Sequence, residues 1–383
     1  MDVKQIATIM NSVTSEVLGK TDVVAEDLSN IVDLGTEIFN TSNVDNYVKS
    51  LIDHIGRVVF VNRPYRGNVP SIMKDAWEYG SILEKITMDK LPEAVENESW
   101  DLTDGKSYDP NVFHKPQVSA KFFNKRVTFE IDMSITERQV KESFSSPEQL
   151  NGFLSMIYNA IDKSMTVKLD SLVMRTIDML IAQTIHNDIS SEADNNVKVV
   201  HLVETYNNRF GTKLTVDNAL TNPDFIRFAV LMMGLYIDRL GTISTLFNVG
   251  GKDRFTPKDM LNVVMLSEFK QSANVYLQSD TFHNEYTALP NADTVPYWQG
   301  SGIDYGFDST SKINVAIDSD PTNNVAIGGI LAVMFDRDAC GVTNLNRRVT
   351  TQYNPKGEFF NNFYKFDAGY FIDLNENAVV FML

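Results

Sequence analysis

From Pro147 to about Asn187 the chain runs some forty residues with one glycine, Gly152, near the start and no further proline. Ser145-Ser146-Pro147-Glu148 opens this run as a helix start: a serine cap, proline at the first helical position and an acid in the first turn. Leu150, Leu154, Ile157, Ile161, Met165, Leu169, Leu172, Val173, Ile177, Leu180 and Thr184 then form an apolar stripe at spacings of mostly three and four. The stripe predicts one helix of about 60 Å, longer than a small domain is wide. It drifts and keeps no strict heptad, so it reads as a spine lying along a sheet rather than as a coiled coil.

The segment feeding this helix reads as a long two-armed strand structure. Ile82, Glu84, Ile86 and Met88 share one parity between Trp77 and Leu91. Residues 91–116 form the tip, with Pro92, Gly105, Pro110 and Pro116. In the return arm, Val118–Met133, the residues Phe123, Val127, Phe129, Ile131 and Met133 alternate with polar ones. A hairpin that long projects past the core it should cover, and the projection can lie on a neighbouring copy. Charge divides across it. Glu84, Asp89, Glu93, Glu96, Glu98, Asp101 and Asp104, against only Lys85 and Lys90, stand on one side, and Lys115, Lys121, Lys125 and Arg126, with no acid among residues 115–126, on the other. Cross-strand pairing within the hairpin and steering onto the next copy both fit this division.

On the N-terminal side, Ile6, Ile9, Met10, Val13 and Val17 recur at helical spacing, and Val32, Leu34, Ile38 and Phe39 form a second set. Periodicity shows a buried face without showing whose core buries it, so an ordinary first helix and an arm across a neighbour stay equally open. A strand is predicted at Val58–Val61, followed by an irregular stretch marked by Pro64, Gly67 and Pro70. After the long helix, Asn222-Pro223-Asp224 starts a helix through Arg239, with Phe225, Phe228, Ala229, Met232, Leu235 and Tyr236 inward and Gly241 closing it. Asn262–Leu266 reads as a buried strand, residues 290–324 as an exposed loop region, and Ile327–Phe335 as a central strand. Further strands are predicted near Arg347–Gln352, Phe359–Tyr370 and Ala378–Met382, the last too apolar to be left unpaired. The fold class is therefore α+β.

The chain's 383 residues suffice for two or three domains, and 43% apolar content for a core. With 34 basic against 50 acidic side chains the net charge is −16, which argues against a nucleic-acid binder. The same charge suits a protein lying beside packed DNA without adhering to it, and equally mere solubility. Cys340 is the single cysteine, so no disulfide forms within the chain. No apolar run approaches the roughly 20 residues of a spanning helix, so no membrane partner is expected. The P-loop pattern fails, because Gly251-Lys252 is followed by Asp253. His54, His114, His186, His201 and His283 show no metal-ligand spacing. Asp101–Gly105 and Asp318–Asp320 are fragments of calcium loops that turn chemistry explains. No catalytic, cofactor or metal site is expected, and the chain is read as a non-enzyme.

Taken together, the segments resemble the major capsid proteins of tailed bacteriophages with the Hong Kong 97-type fold. The most specific stretches are Phe129–Arg138 (FEIDMSITER) leading into the long helix, Ala332–Gly341 (AVMFDRDACG), and the aromatic tail Phe359–Phe371 followed by Asn375–Phe381. The resemblance implies an N-terminal arm over 1–55 and an extended loop with its base over 56–135. It implies a spine helix of the peripheral domain over 136–189, an axial domain over 190–340, and C-terminal strands of the peripheral domain over 341–383. It implies pentamers and hexamers in an icosahedral shell around double-stranded DNA, a portal protein, and a location in the virion capsid, with assembly in the host cytoplasm. About fifty residues precede the first strand, too few for the scaffolding segment some members carry, so a separate scaffolding protein is expected. Glu93, Glu96, Asp101, Lys121, Lys125 and Arg126, with Arg347 and Arg348, are the candidate intersubunit contacts. The rival readings are an encapsulin-like compartment shell, which would share the fold, and a soluble enzyme with an unrecognised site.

Overall fold

The computed structural model describes residues 3–20, 24–25, 27–39, 46–47, 50–51, 72–74, 83–92, 94–190, 197–278, 292–298, 311–317 and 324–383. Its helices are α1 (Val3–Leu18), α2 (Ile31–Phe39), α3 (Glu137–Ser143), α4 (Pro147–Ser190), α5 (Leu202–Phe210), α6 (Val216–Ala219), α7 (Pro223–Leu240) and α8 (Ser267–Gln278). Its strands are β1 (Met73–Lys74), β2 (Leu83–Met88), β3 (Val118–Phe123), β4 (Arg126–Thr136), β5 (Val199–His201), β6 (Leu261–Leu266) and β7 (Asp293–Val295). They continue as β8 (Ile313–Ala316), β9 (Asn324–Ile327), β10 (Ile330–Asp336), β11 (Cys340–Asn354), β12 (Phe359–Ile372) and β13 (Ala378–Met382). The chain forms two compact units. One holds residues 1–68, 126–172 and 343–369; the other holds 69–125, 173–342 and 370–383. The strand predicted at Val58–Val61 lies outside the described residues.

In the first unit α1 buries Ile6, Ile9, Met10 and Val13, and α2 buries Ile31, Leu34 and Ile38. Val32, assigned to the inner set on spacing, points outward instead, because Ile31 takes the place that completes the i, i+3, i+7 row. Both helices are seated at home. Thr14 Oγ1 lies 3.1 Å from the Tyr47 hydroxyl, and the Tyr47 ring meets Phe144 edge-on at 6.4 Å. Burial pushes the Tyr47 phenol up to about 12, opposed by the Thr14 hydrogen bond. Gly35 lets α2 reach Phe144, since a Cβ there would stand 2.6 Å from the Phe144 Cβ.

Strands β4 and β12 pair antiparallel, from Thr136 opposite Phe359 to Arg126 opposite Gly369. The alternation predicted for the return arm is realised here: Val127, Phe129, Ile131, Met133 and Ile135 oppose Ala368, Phe366, Tyr364, Asn362 and Phe360 on one face. The other face is mainly polar, with Thr128, Glu130, Asp132 and Ser134 opposite Asp367, Lys365, Phe363 and Asn361. The return arm is therefore two strands, broken at Asn124-Lys125, and only β3 belongs to the hairpin.

A short helix intervenes before the long one. Thr136 caps α3 by accepting from the Gln139 N–H, while the Gln139 side chain accepts from the Thr136 N–H, a reciprocal capping box. Helix α4 then runs 44 residues. The eleven stripe residues read from the sequence are all buried. Up to Lys168 one face is buried. From Val173 onward, in the second unit, Met174, Ile181, Ala182 and Ile185 join the stripe and the helix is enclosed on most sides.

The second unit is built on a five-stranded sheet of order β5-β13-β10-β6-β7. Strand β10 lies at its centre, antiparallel to β13 and to β6, and every one of its residues is buried. The C-terminal strand β13, grouped by the resemblance with the two strands before it, pairs with β10 and β5 in this sheet. Helix α7 is capped by Asn222, whose side chain accepts from the Asp224 and Phe225 N–H groups. Leu235, read as inward, is partly exposed, and Met233 takes the buried place. The region 290–324 is not all exposed loop. Trp298 is fully buried and donates through Nε1–H to the Ile330 carbonyl at 2.7 Å, and β8 pairs with β9.

Candidate interaction surface

The hairpin β2–β3 is where sequence and burial disagree most. Its register sets Glu84, Ile86 and Met88 opposite Phe122, Ala120 and Val118 on one face, and Lys85 and Thr87 opposite Lys121 and Ser119 on the other. In a hairpin covering its own core the apolar face turns inward. Here it turns outward. Ile86 is 65% exposed and Phe122 63%, with Met88 and Val118 also open to solvent. From Lys90 to Gln117 every side chain described is exposed, including Trp100 at 99% and Phe113 at 84%.

The inward face is held by charge. Lys85 and Lys121 stand directly opposite each other, a repulsive placement that needs an anion. Asp373 supplies it, 3.0 Å from Lys85 Nζ through one oxygen and 2.9 Å from Lys121 Nζ through the other. Glu376 lies 2.7 Å from Lys85 and 3.4 Å from Arg254 Nε. Further out, Asp89 accepts from the Ser119 hydroxyl at 2.6 Å and pairs with Lys252 at 2.9 Å. The Leu91 N–H donates to Asp253, and Arg254 Nη1 donates to the Met88 carbonyl. At the base, the rings of Phe123 and Phe371 meet at 5.3 Å.

These charges shape one another. Burial alone would raise the Asp373 carboxyl, but Lys85 and Lys121 outweigh it and hold it below the usual carboxylate value. Burial opposes the charge on Lys85, yet the Glu376 hydrogen bond and the charges of Asp373 and Glu376 raise it above an ordinary lysine. The Ser119 hydrogen bond, then Lys252, lower Asp89.

The residues singled out from the sequence are dispersed. Glu93 lies outside the described residues. Glu96 and Asp101 are on the exposed tip. Lys121 is committed to Asp373 within its own chain while keeping 40% of its side chain exposed. Lys125 and Arg126 are exposed, Arg347 is half-buried, and Arg348 holds Asp367 through two bonds of 2.8 and 3.2 Å. Among the described residues the register puts lysine against lysine and Asp89 beside Ser119, rather than acid against base across the strands. What sequence reasoning missed is the inward trio of Lys85, Asp373 and Glu376 and the outward apolar row. The signal was present: lysines occupy the parity between the apolar residues of both arms.

Asp101–Gly105 is a turn, with Gly105 at φ +79° and the Lys106 N–H donating to the Thr103 carbonyl. Among the described residues no cluster of three or more His, Cys, Asp or Glu is placed to hold a metal ion, and no helix is long and apolar enough to cross a membrane.

The Phi29-like phage major capsid protein family matches residues 6–382, nearly the whole chain. A major capsid protein of Bacillus phage B103 is 27% identical over 165 residues, 42% of this chain. The chain thus spans about a third, 35%, of the length of that relative. Among solved structures, a chain in the capsid structure of Staphylococcus phage Andhra aligns with a TM-score of 0.51 at 10% identity, covering 84% of this chain and 85% of that one. At that identity the likeness is one of fold: a mixed helix-and-sheet architecture shared with a phage capsid. The match along the sequence favours neither the encapsulin-like nor the enzyme reading. The chain belongs to the Phi29-like phage major capsid protein family, whose members are structural capsid proteins and not enzymes.

Proposed function

We propose that many copies of this chain close into an icosahedral shell of pentamers and hexamers around a double-stranded DNA genome, in the virion capsid after assembly in the host cytoplasm. The observation that carries this is the hairpin's outward apolar face and bare tip. Ile86, Met88, Val118, Phe122, Trp100 and Phe113 gain nothing at home, and a surface of that composition is stabilised when a partner covers it. A second copy of the chain is the partner a tiling lattice provides.

On this reading the fold is of the Hong Kong 97 type. Residues 1–55 are the N-terminal arm, 56–135 the extended loop and its base, and 136–189 the spine helix. Residues 190–340 are the axial domain, and 341–383 return to the peripheral domain except for β13, which completes the axial sheet. Glu96, Asp101, Lys125 and Arg126 remain exposed and suited to contact a neighbour; Lys121 and Arg348 contribute only what their intrachain pairs leave free. The net charge of −16 keeps the shell from adhering to packed DNA without sequence-specific binding. A separate scaffolding protein and a portal protein are the further partners.

The test is negative-stain electron microscopy and light scattering of the purified protein beside its Phe122→Asp variant. Shells, rings of five or six, or tubes from the parent and single chains from the variant support the proposal. A parent that stays a single chain, alone and with its candidate scaffolding protein, contradicts it.

A further inference from the structure

We infer that the cluster of Lys85, Lys121, Arg254, Asp373 and Glu376 is a releasable ionic latch that seats the β2–β3 hairpin on its own chain and sets the direction in which its apolar face points. The inference concerns the single chain and does not depend on the shell reading.

An attachment that comes apart readily must open at small cost. An apolar contact, once opened, exposes dry surface to water at about 25 cal/mol per Å². An attachment made of charged groups near the surface opens onto water that solvates each partner, so its net cost is smaller and depends on charge complementarity. The hairpin's inward face is of the second kind. Among the described residues, beyond the Phe123–Phe371 contact at its base, the seat is carried by Lys85 and Lys121 on Asp373 and Glu376, Asp89 on Lys252, the Leu91 N–H on Asp253 and Arg254 on the Met88 carbonyl.

The opposing groups come from two other elements. Asp373 and Glu376 sit in the turn between β12 and β13, where the Asn375 N–H donates to Asp373 and the Glu376 N–H to the Asp373 carbonyl, so their positions are fixed by backbone. Arg254, Lys252 and Asp253 sit in the segment closed by the Ser244–Arg254 bridge. The Asp338 carbonyl also accepts from Lys85 at 3.4 Å. Asp373 is almost wholly enclosed, while Lys121 is at the edge. The acidic groups thus come from a turn fixed by its backbone, with Arg254 beside them, and the two lysines come from the hairpin strands.

Two carboxylates facing three cations make the seat sensitive to a single change of sign. In Lys85→Glu the hairpin would bring a third carboxylate against Asp373 and Glu376. In Glu376→Lys the socket would meet Lys85, Lys121 and Arg254 with a fourth cation. The Lys85→Glu/Glu376→Lys double variant restores opposite charges across the contact, which a role in general folding would not predict.

The experiment places nitroxide labels at Thr103→Cys on the tip and Lys213→Cys in the same unit, both exposed, with the buried Cys340 left in place. Electron spin distance distributions are read on the dilute single chain of 383 residues. The latch predicts one narrow distance in the parent, at least about a twofold broadening in each charge-reversed variant, and return towards the parent width in the double variant. The milder Lys121→Ala, at the exposed edge of the cluster, is expected to give an intermediate width if a reversed variant fails to fold. Unchanged distances in Lys85→Glu and in Lys121→Ala would overturn the inference. So would broadening that the double variant does not reverse, or broadening accompanied by loss of the buried Trp298 emission.

Discussion

The second unit contains two antiparallel ladders that solve the same problem in opposite ways. In β10–β13, Ala332, Val333, Met334 and Phe335 face Phe381, Val380, Val379 and Ala378, and both strands are closed to solvent. In β2–β3 the apolar residues face water and the lysines face the chain. The sequences differ in kind: β10 and β13 are continuous apolar runs buried on both faces, whereas β2 and β3 alternate apolar with polar or charged residues. The first is held by burial, which is non-directional and hard to open. The second is held by a few charges of fixed geometry, leaving its apolar surface for another partner.

The largest expected effect tests the first ladder. Phe381 is fully buried and meets Tyr236 edge-on at 5.3 Å, so Phe381→Ala should lower stability by about 3–5 kcal/mol in urea titration. Loss of less than about 1 kcal/mol would mean that the sheet centre is not the core. Next comes the anion between the two lysines. Asp373→Asn leaves Lys85 and Lys121 opposed without a counter-charge and should cost about 2 kcal/mol.

The pH dependence of that contribution has a definite sign. Asp373 is held below its ordinary value of 3.8, so its contribution is complete above that pH and is lost as pH falls through the lower folded value. Lys85 is held above 10.5, so its contribution is complete below that pH and is lost as pH rises through the higher folded value. Urea midpoints of the parent and Asp373→Asn should therefore differ steadily from about pH 5 to 10 and converge in stronger acid. A difference that grew in acid would contradict the placement. Smallest is the effect of emptying the outer row. Ile86→Ser and Phe122→Ser should change single-chain stability by no more than about 0.5 kcal/mol, yet reduce assembly measured by light scattering.

Much of the fold is legible in the sequence where one physical signal dominates. Helix α4 is set by an unbroken stripe and a Ser-Pro-Glu start, and β4 by a clean alternation with one buried face. The capped start of α7 at Asn222 is equally plain. Elsewhere a local pattern cannot say what it faces. The row Ile86–Met88 carries an apolar parity, but only the register shows that Lys85 and Lys121 oppose each other and that Asp373, far along the chain, lies between them. Val32 and Leu235 fit a helical spacing as well as Ile31 and Met233 do, and tertiary packing chooses between them. Charge blocks suggested pairing across the hairpin; a one-residue parity decides that question, and block composition does not contain it.

The most direct measurement is electron microscopy of the assembled particle at a resolution that shows side chains. Phe122, Ile86 and Trp100, bare on the single chain, are expected to be covered in the particle by residues of another copy. Closed particles in which that row still faces solvent would contradict this.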